Sequence, residues 1–493
     1  MRSPSVIRSF VAVLGVAVAA NAQEIRPEAF AVRHARLDLA IDFSATSLSG
    51  SMTLEMENWT LRPASSVSFV LNRLMEASQV RDGAGAALPY TQRVLRFRDS
   101  PKLQVTQLVI TLPQSIPPGG HTTVRIDYAG YLAPYTEVGW LYVRDHIDTA
   151  FTIIRSDAMA YPIVGGLSAE ANGQLPYADF TYDASVRVPS NYLVAAGGTV
   201  TTTPNEDGTI TWRYISGRTS PFLNIAIAPF DTISAGGVRV FYFPADSVGA
   251  RRVINSAQAA LRTLSQWFGP LRTKANLTIT EIPDGWGSQG HPVGGIIQTA
   301  SAFRDANSVG ELYHELSHLW NAVDTDSPSP RWNEGLAMFL QNLLREELDG
   351  WLGRKSYEGQ RIESMKRQTA ADSLLRVVPF IDYGKRDMTG RSYTVGSIMF
   401  GTLFELLGAD EFNKVVGGYY QQFANGGTTR DFIAFAKRTS SRDLTAFFDD
   451  WVFTTRWTEV LAAATSSGEL ANHYRTARPA FDDSRDECCR REP

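Results

Sequence analysis

Cysteine is almost missing from this chain. Among 493 residues there are two, Cys488 and Cys489, adjacent and close to the C-terminus. Neighbouring cysteines cannot tie distant segments together, so a disulfide framework is excluded as the basis of the fold. The fold must rest on hydrophobic cores, and at this length two or three domains are expected. An excess of positive charge is also missing. The formal net charge is −4, which argues against a nucleic-acid partner. Beyond the first 22 residues no apolar run reaches membrane-spanning length. Histidine is scarce as well, with seven in the whole chain, so two of them standing close together are informative.

The first 22 residues read differently from the rest. Arg2 and Arg8 form a positive n-region, Phe10 through Ala20 is a short apolar run, and Ala20-Asn21-Ala22 fits a small-x-small cleavage site. The pattern predicts a signal peptide over 1–22, with Gln23 as the mature N-terminus. It therefore predicts a secreted or periplasmic protein in a bacterial setting, with no transmembrane segment after cleavage. The leader carries two arginines and no acid, so its removal takes the net charge from −4 to −6.

Residues 23–232 are expected to form a β-rich, sandwich-like domain. Leu37 to Phe43, Met52 to Glu57, Leu108 to Leu112 and Thr123 to Tyr128 alternate apolar with polar or small residues, and Asp82-Gly83, Pro117-Pro118-Gly119-Gly120 and Asp207-Gly208 supply turns. No chemistry concentrates there. Residues 233–460 mix strands such as Val238 to Phe243 and Leu277 to Ile282 with helical spacing that dominates after 305. This second region is expected to be an α+β domain that is mainly helical in its C-terminal half. Residues 461–493 are polar, contain Ser466-Ser467-Gly468, and are expected to be a loose tail.

The chemistry-bearing stretch is Tyr313-His314-Glu315-Leu316-Ser317-His318-Leu319-Trp320. Ser308-Val309-Gly310-Glu311 fits a capping box, which predicts a helix starting at Val309. Val309, Leu312, Tyr313, Leu316, Leu319, Trp320 and Val323 make one apolar stripe at helical spacing. His314 and His318 fall away from that stripe, within about 40° of each other on the helical wheel. Two imidazoles at i and i+4 can share one zinc ion, and the intervening Glu315 can act on a water molecule beside it.

A catalytic zinc site needs a third protein ligand. After the turn Ser327-Pro328-Ser329-Pro330, the segment Arg331-Trp332-Asn333-Glu334-Gly335 opens a second helix, with Leu336, Phe339, Leu340, Leu343 and Leu344 as its buried stripe. Glu334 lies opposite that stripe and can face the first helix. A first-turn glutamate can also simply complement the helix dipole. Next to two histidines it becomes the expected third ligand.

These residues resemble the gluzincin metallopeptidases of the aminopeptidase N and leukotriene hydrolase type. The likeness rests on His314-Glu315-x-x-His318-x-Trp320 followed by Asn333-Glu334-Gly335. The glycyl-aminopeptidase branch, which also shows His-Leu-Trp-Asn, is a close competitor. The resemblance implies a thermolysin-like catalytic domain behind the β-rich domain, and one Zn2+ per chain held by His314, His318 and Glu334. It also implies Glu315 as general base, and peptide or protein as substrate. The family's tyrosine in a Tyr-x-x-Gly setting matches Tyr393-Thr394-Val395-Gly396, which implies that Tyr393 hydrogen-bonds the oxyanion; Tyr383 is the weaker alternative. The family's exopeptidase signature Gly-Ala-Met-Glu-Asn corresponds to Gly294-Gly295-Ile296-Ile297-Gln298, without its amine-binding glutamate. Gly294 and Gly295 are expected to offer backbone to an extended peptide, with Gln298 in place of the charge. The activity expected is therefore aminopeptidase-like hydrolysis. Oligo- or endopeptidase action, or another hydrolase activity on the same fold, is the alternative, and a non-catalytic exported binding protein is a rival from another class. The presence of every residue the chemistry needs argues against the rival.

Overall fold

Alternation does what it should in the first strand. In Phe30–Asp42, Ala35, Leu37, Leu39 and Ile41 are buried while Arg36 and Asp38 between them face solvent. Such strands build a seven-stranded sheet. Its order is 199–204, 209–215, 181–189, 30–42, 47–58, 121–131 and 75–82, with one parallel pair between 30–42 and 181–189. A four-stranded sheet of 90–96, 104–116, 64–72 and 163–164 packs on it. Leu37, Leu54, Val124 and Val186 from the large sheet share one core with Val67, Phe69, Leu108 and Ile110 from the small one. The result is the expected sandwich. The computed structural model describes residues 28–168, 179–272, 277–322 and 324–476. The signal segment expected over 1–22, Val323 and Cys488-Cys489 lie outside these residues.

A three-stranded sheet, 193–195, 225–228 and 152–154, connects the sandwich to the second half. Phe151, Ile153, Ala226 and Phe230 from its side meet Phe241, Ile282, Trp286 and Ile297 in a small apolar cluster. Beyond it lies a mixed five-stranded sheet in the order 231–235, 238–242, 277–282, 295–299, 289–291. Its outermost strand on the site's side is Gln289–His291, antiparallel to Gly295–Thr299. Helices cover this sheet and form a second large core: α1 (Ser247–Phe268), α2 (Val309–Ser317), α3 (Trp332–Asp349), α4 (Thr389–Leu407) and α5 (Ser467–Thr476) among them. Among the described residues no helix is long and apolar enough to cross a membrane.

The C-terminal part corrects the expectation of a loose tail from residue 461. Leu461 closes a helix at Trp457–Ala463, and α5 follows, with Leu461, Leu470 and Ala471 fully buried. Ser466 and Ser467 looked like linker because they are polar. Ser466 instead accepts from the N–H groups of Leu470 and Glu469 through its carbonyl and hydroxyl, and so starts the helix.

One buried acid gives the second half a pH-dependent stability. Glu281, on strand Leu277–Ile282, is fully buried. Burial and the neighbouring Asp246 carboxylate push its pKa up to about 8, against the opposing N–H of Phe243, which donates to it at 2.8 Å. Between its ordinary 4.5 and about 8 the folded protein holds a proton that the unfolded chain has released, so stability falls as pH rises through that window. Glu281→Gln keeps an acceptor for the Phe243 N–H without the charge. It is expected to equal wild type near pH 5 and to exceed it by up to about 4 kcal/mol near pH 8.5. Paired denaturation curves at the two pH values measure this, and equal wild-type and variant slopes would refute it.

Candidate metal centre and catalytic cleft

Helix α2 starts at Val309, but its expected capping box does not form. Ser308 makes no side-chain bond to the helix; its hydroxyl goes to Asp305. Glu311 reaches sideways instead and accepts 2.7 Å hydrogen bonds from Ser288 and Thr299. A carboxylate that could have satisfied the helix end is used to lock the strand pair 289–291 and 295–299 against α2. Leu312, Tyr313, Leu316, Leu319 and Trp320 are buried in the core as the stripe predicts. The opposite side is not solvated, because His314 and Glu315 are also buried. His318 ends the α-helix and opens a 3-10 turn through Trp320.

The structure brings His314, His318 and Glu334 together. Oε2 of Glu334 lies 3.4 Å from Nε2 of each histidine, and the two Nε2 atoms are 3.2 Å apart. An ion held tetrahedrally at about 2.0–2.1 Å separates its donors by about 3.3–3.4 Å. The three donor atoms therefore already stand at zinc spacing. Asn321 borders the His318 ring, its amide nitrogen 3.0 Å from Nδ1 and 3.0 Å from the carbonyl of Asn333. Burial lowers the pKa of His314. Burial alone would lower that of His318 too, but the Glu334 carboxylate overrides it and raises it. Burial would likewise raise Glu334, yet the two histidines and Arg331 hold it far below the usual carboxylate range. The three groups behave as one electrostatic cluster with a stable anion at its centre.

Glu315 faces the strand Gln289–His291. A Cβ added at Gly290 would stand 2.8 Å from the Glu315 carbonyl oxygen and 3.0 Å from its Oε2. Only glycine lets this strand lie so close to the carboxylate. Burial pushes the pKa of Glu315 up to about 8, with Glu334 and Glu311 adding and His318 opposing. Tyr393, on the first turns of α4, lies nearly parallel to the His314 ring at 6.2 Å. Burial and Glu334 raise its phenol to about 12, so it stays a proton donor. Tyr383 is fully buried against Phe380 and belongs to the core.

The segment expected to receive substrate needs correction. Gly295–Thr299 is an interior strand, flanked by 277–282 and 289–291, so its backbone is already paired on both sides. Gly294 packs on Phe222 and Ser220, Gly295 packs against Thr278, and Gln298 is fully buried. The strand beside Glu315 is Gln289–His291. Its three residues have no apolar alternation, and only their pairing makes them a strand. The side chain of Gln289 joins Asn224 and Asp157, the latter at 2.8 Å. Arg155, fully buried with Asp145, donates to the carbonyls of Tyr142 and Trp286 and so ties the sandwich to the loop that leads into this strand. Sequence reasoning missed Asp157, Gly290, Asn321 and Arg331. The first lies in the β-rich half and the others carry no pattern of their own.

A largely buried donor triad at zinc spacing could hold a metal ion, and the chain is a zinc metallopeptidase. Residues 297–451 match the peptidase family M1 domain. The chain is 23% identical over 463 residues to leucine aminopeptidase 2 of Phaeosphaeria nodorum, covering 85% of this chain and 70% of that one. It is 23% identical over 331 residues to the leukotriene A-4 hydrolase homolog of Botryotinia fuckeliana, covering 64% of this chain and 50% of that protein's length. Its fold resembles the M1 zinc metallopeptidase from Deinococcus radiodurans. A variant of that enzyme solved with a Tyr-Ser-Ala substrate superposes with a TM-score of 0.61 at 19% identity, over 86% of this chain and 94% of that one. Another structure of the Deinococcus radiodurans enzyme gives 0.58 at 20%, over 87% of this chain and 95% of that one.

Proposed function

We propose that this protein is an exported aminopeptidase that removes N-terminal residues from peptides, with His314, His318 and Glu334 as zinc ligands, Glu315 as general base and Tyr393 as oxyanion donor. Zinc bound at this triad supplies a Lewis acid that makes water nucleophilic near neutral pH. Glu315 takes the proton of the attacking water and returns it to the leaving amine. Its raised pKa favours this, because the proton is neither held too weakly nor released too reluctantly. The Tyr393 phenol donates to the carbonyl oxygen as that oxygen gains charge. The leader-like residues 1–22 support export.

Exopeptidase action requires a carboxylate for the substrate's ammonium, and neither the strand Gln289–His291 nor Gln298 provides one. The observation that carries the reading is Asp157. It accepts a 2.8 Å hydrogen bond from Gln289, the neighbour of the Gly290 that lies against Glu315. The uncharged strand favours a second reading, oligo- or endopeptidase cleavage of longer chains. Cleavage of paired peptides, one with a free N-terminus and one N-acetylated, separates the two. The first reading expects chelator-sensitive cleavage of the free peptide alone, and a rise in KM of about tenfold or more in Asp157→Asn, as for loss of a charge-assisted hydrogen bond. Equal cleavage of both peptides at internal bonds would transfer the assignment to the second reading.

A further inference from the structure

Arg331 stands at the metal centre in a conformation that its own residue type disfavours. Its backbone is left-handed, at φ 57° and ψ 43°, where a side chain larger than that of glycine or asparagine is strained. The surroundings impose this. The Arg331 N–H donates to the Ser329 hydroxyl at 2.8 Å, Ser329 donates to Asp324 at 2.6 Å, and Ser392 donates to the Pro330 carbonyl at 2.6 Å. The turn sends the guanidinium back over the first turn of α3. There Nη2 meets Oε1 of Glu334 at 2.5 Å, with the Tyr393 ring 5.8 Å away.

The consequence lies in which oxygen of Glu334 is left. Oε1 is engaged by the guanidinium, and Oε2 is the oxygen equidistant from both histidines at 3.4 Å. A carboxylate free on both oxygens can rotate, chelate an ion through two atoms or turn away. One gripped through Oε1 presents a single oxygen in a fixed direction. An ordinary surface pair on a helix's first turn contributes little, but this carboxylate is buried, so its orientation is not averaged by solvent.

We infer that Arg331 is a positioning residue for the metal site, holding Glu334 so that one oxygen alone faces the histidines and thereby strengthening zinc binding. This rests on the zinc-ligand reading of the triad. The guanidinium's positive charge works in the opposite sense, since it repels a dication. The proposal is that orientation outweighs repulsion.

Zinc affinity of the full-length protein, measured by chelator competition on wild type, Arg331→Met and Arg331→Lys, tests this. Circular dichroism of the metal-free proteins confirms that each is folded. All three keep a non-glycine residue at 331, so backbone strain is common to them. Wild type is expected to bind one zinc per chain, and Arg331→Met to bind it about 10–100-fold more weakly. Arg331→Lys, which keeps a donor and the charge but not the planar fork, is expected to fall between. Wild-type or tighter affinity in Arg331→Met would overturn the inference. A loss that Arg331→Lys does not reduce at all would assign the effect to packing and also overturn it. A wild type that takes up no zinc would instead refute the ligand assignment, a separate outcome.

Discussion

Glu315→Gln is expected to bind zinc as wild type does and to lose about 10²–10⁴ in kcat. The two halves of this expectation come from different parts of the structure. On the proposed ligand set, zinc binding depends on Nε2 of His314 and His318 and on Oε2 of Glu334, which stand 3.2–3.4 Å from one another without help from Glu315. Glu315 is buried between α2 and Gly290, and glutamine has the same shape, so nothing needs to move. What changes is the ability to accept a proton. An amide cannot take one from water near neutral pH, and among the described residues the next carboxylate along α2, Glu311, is committed to Ser288 and Thr299. His318→Ala supplies the contrast, losing zinc and activity together. Metal content and turnover measured on the same samples decide the matter. A Glu315→Gln variant with a full zinc complement and turnover within tenfold of wild type would require the base to be found elsewhere.

The meeting of His314, His318 and Glu334 was readable in the sequence because it depends on one helix's geometry and one short connection. His314 and His318 are one turn apart on any α-helix, and Glu334 opens the next helix opposite an apolar stripe that has to be buried. The substrate side was not readable, because it depends on which strand pairs with which. Ile296 and Ile297 look like a strand and Gln289-Gly290-His291 do not, yet the apolar pair makes the interior strand and the polar trio the one beside Glu315. Glu311 shows the same limit from another direction. Ser308 and Glu311 have the spacing of a capping box, but two hydroxyls brought in by the strand pair 289–299 offer Glu311 stronger partners than the helix's own backbone. Asp157 lies more than 150 residues from the histidines, in a region with no chemical pattern. Only the packing of the sandwich on the five-stranded sheet brings it to Gln289. The left-handed turn at Arg331 likewise comes from a network of three hydroxyl bonds rather than from local propensity.

Gly335→Ala is expected to damage stability and the metal site at once, because one helix crossing sets both. At the contact between α3 and α4, a Cβ added to Gly335 would stand 2.4 Å from Cα of Gly396, and one added to Gly396 would stand 2.9 Å from Cα of Gly335. Both obstacles are backbone, so no rotamer change relieves them and the helices must separate. Glu334 is the residue before Gly335, and Tyr393 is one turn before Gly396. The crossing therefore fixes the Glu334 carboxylate, the proposed metal ligand, beside the tyrosine whose pKa it raises. Separation by about 1 Å exceeds the roughly 0.2 Å tolerance of a metal–ligand distance, and overpacking of this kind costs about 1–3 kcal/mol or more. The helix preference of alanine over glycine, about 1 kcal/mol, acts in the other direction and is too small to compensate. Gly390 provides the control within α4. It is exposed, and an added Cβ there meets nothing within 4 Å, so Gly390→Ala is expected to be neutral or slightly stabilising. Melting temperature and zinc affinity of the two variants, measured side by side, separate helix propensity from the crossing. If Gly335→Ala melts with Gly390→Ala and binds zinc like wild type, the helices can part without moving Glu334, and its position must then be held from the Arg331 side of the turn alone.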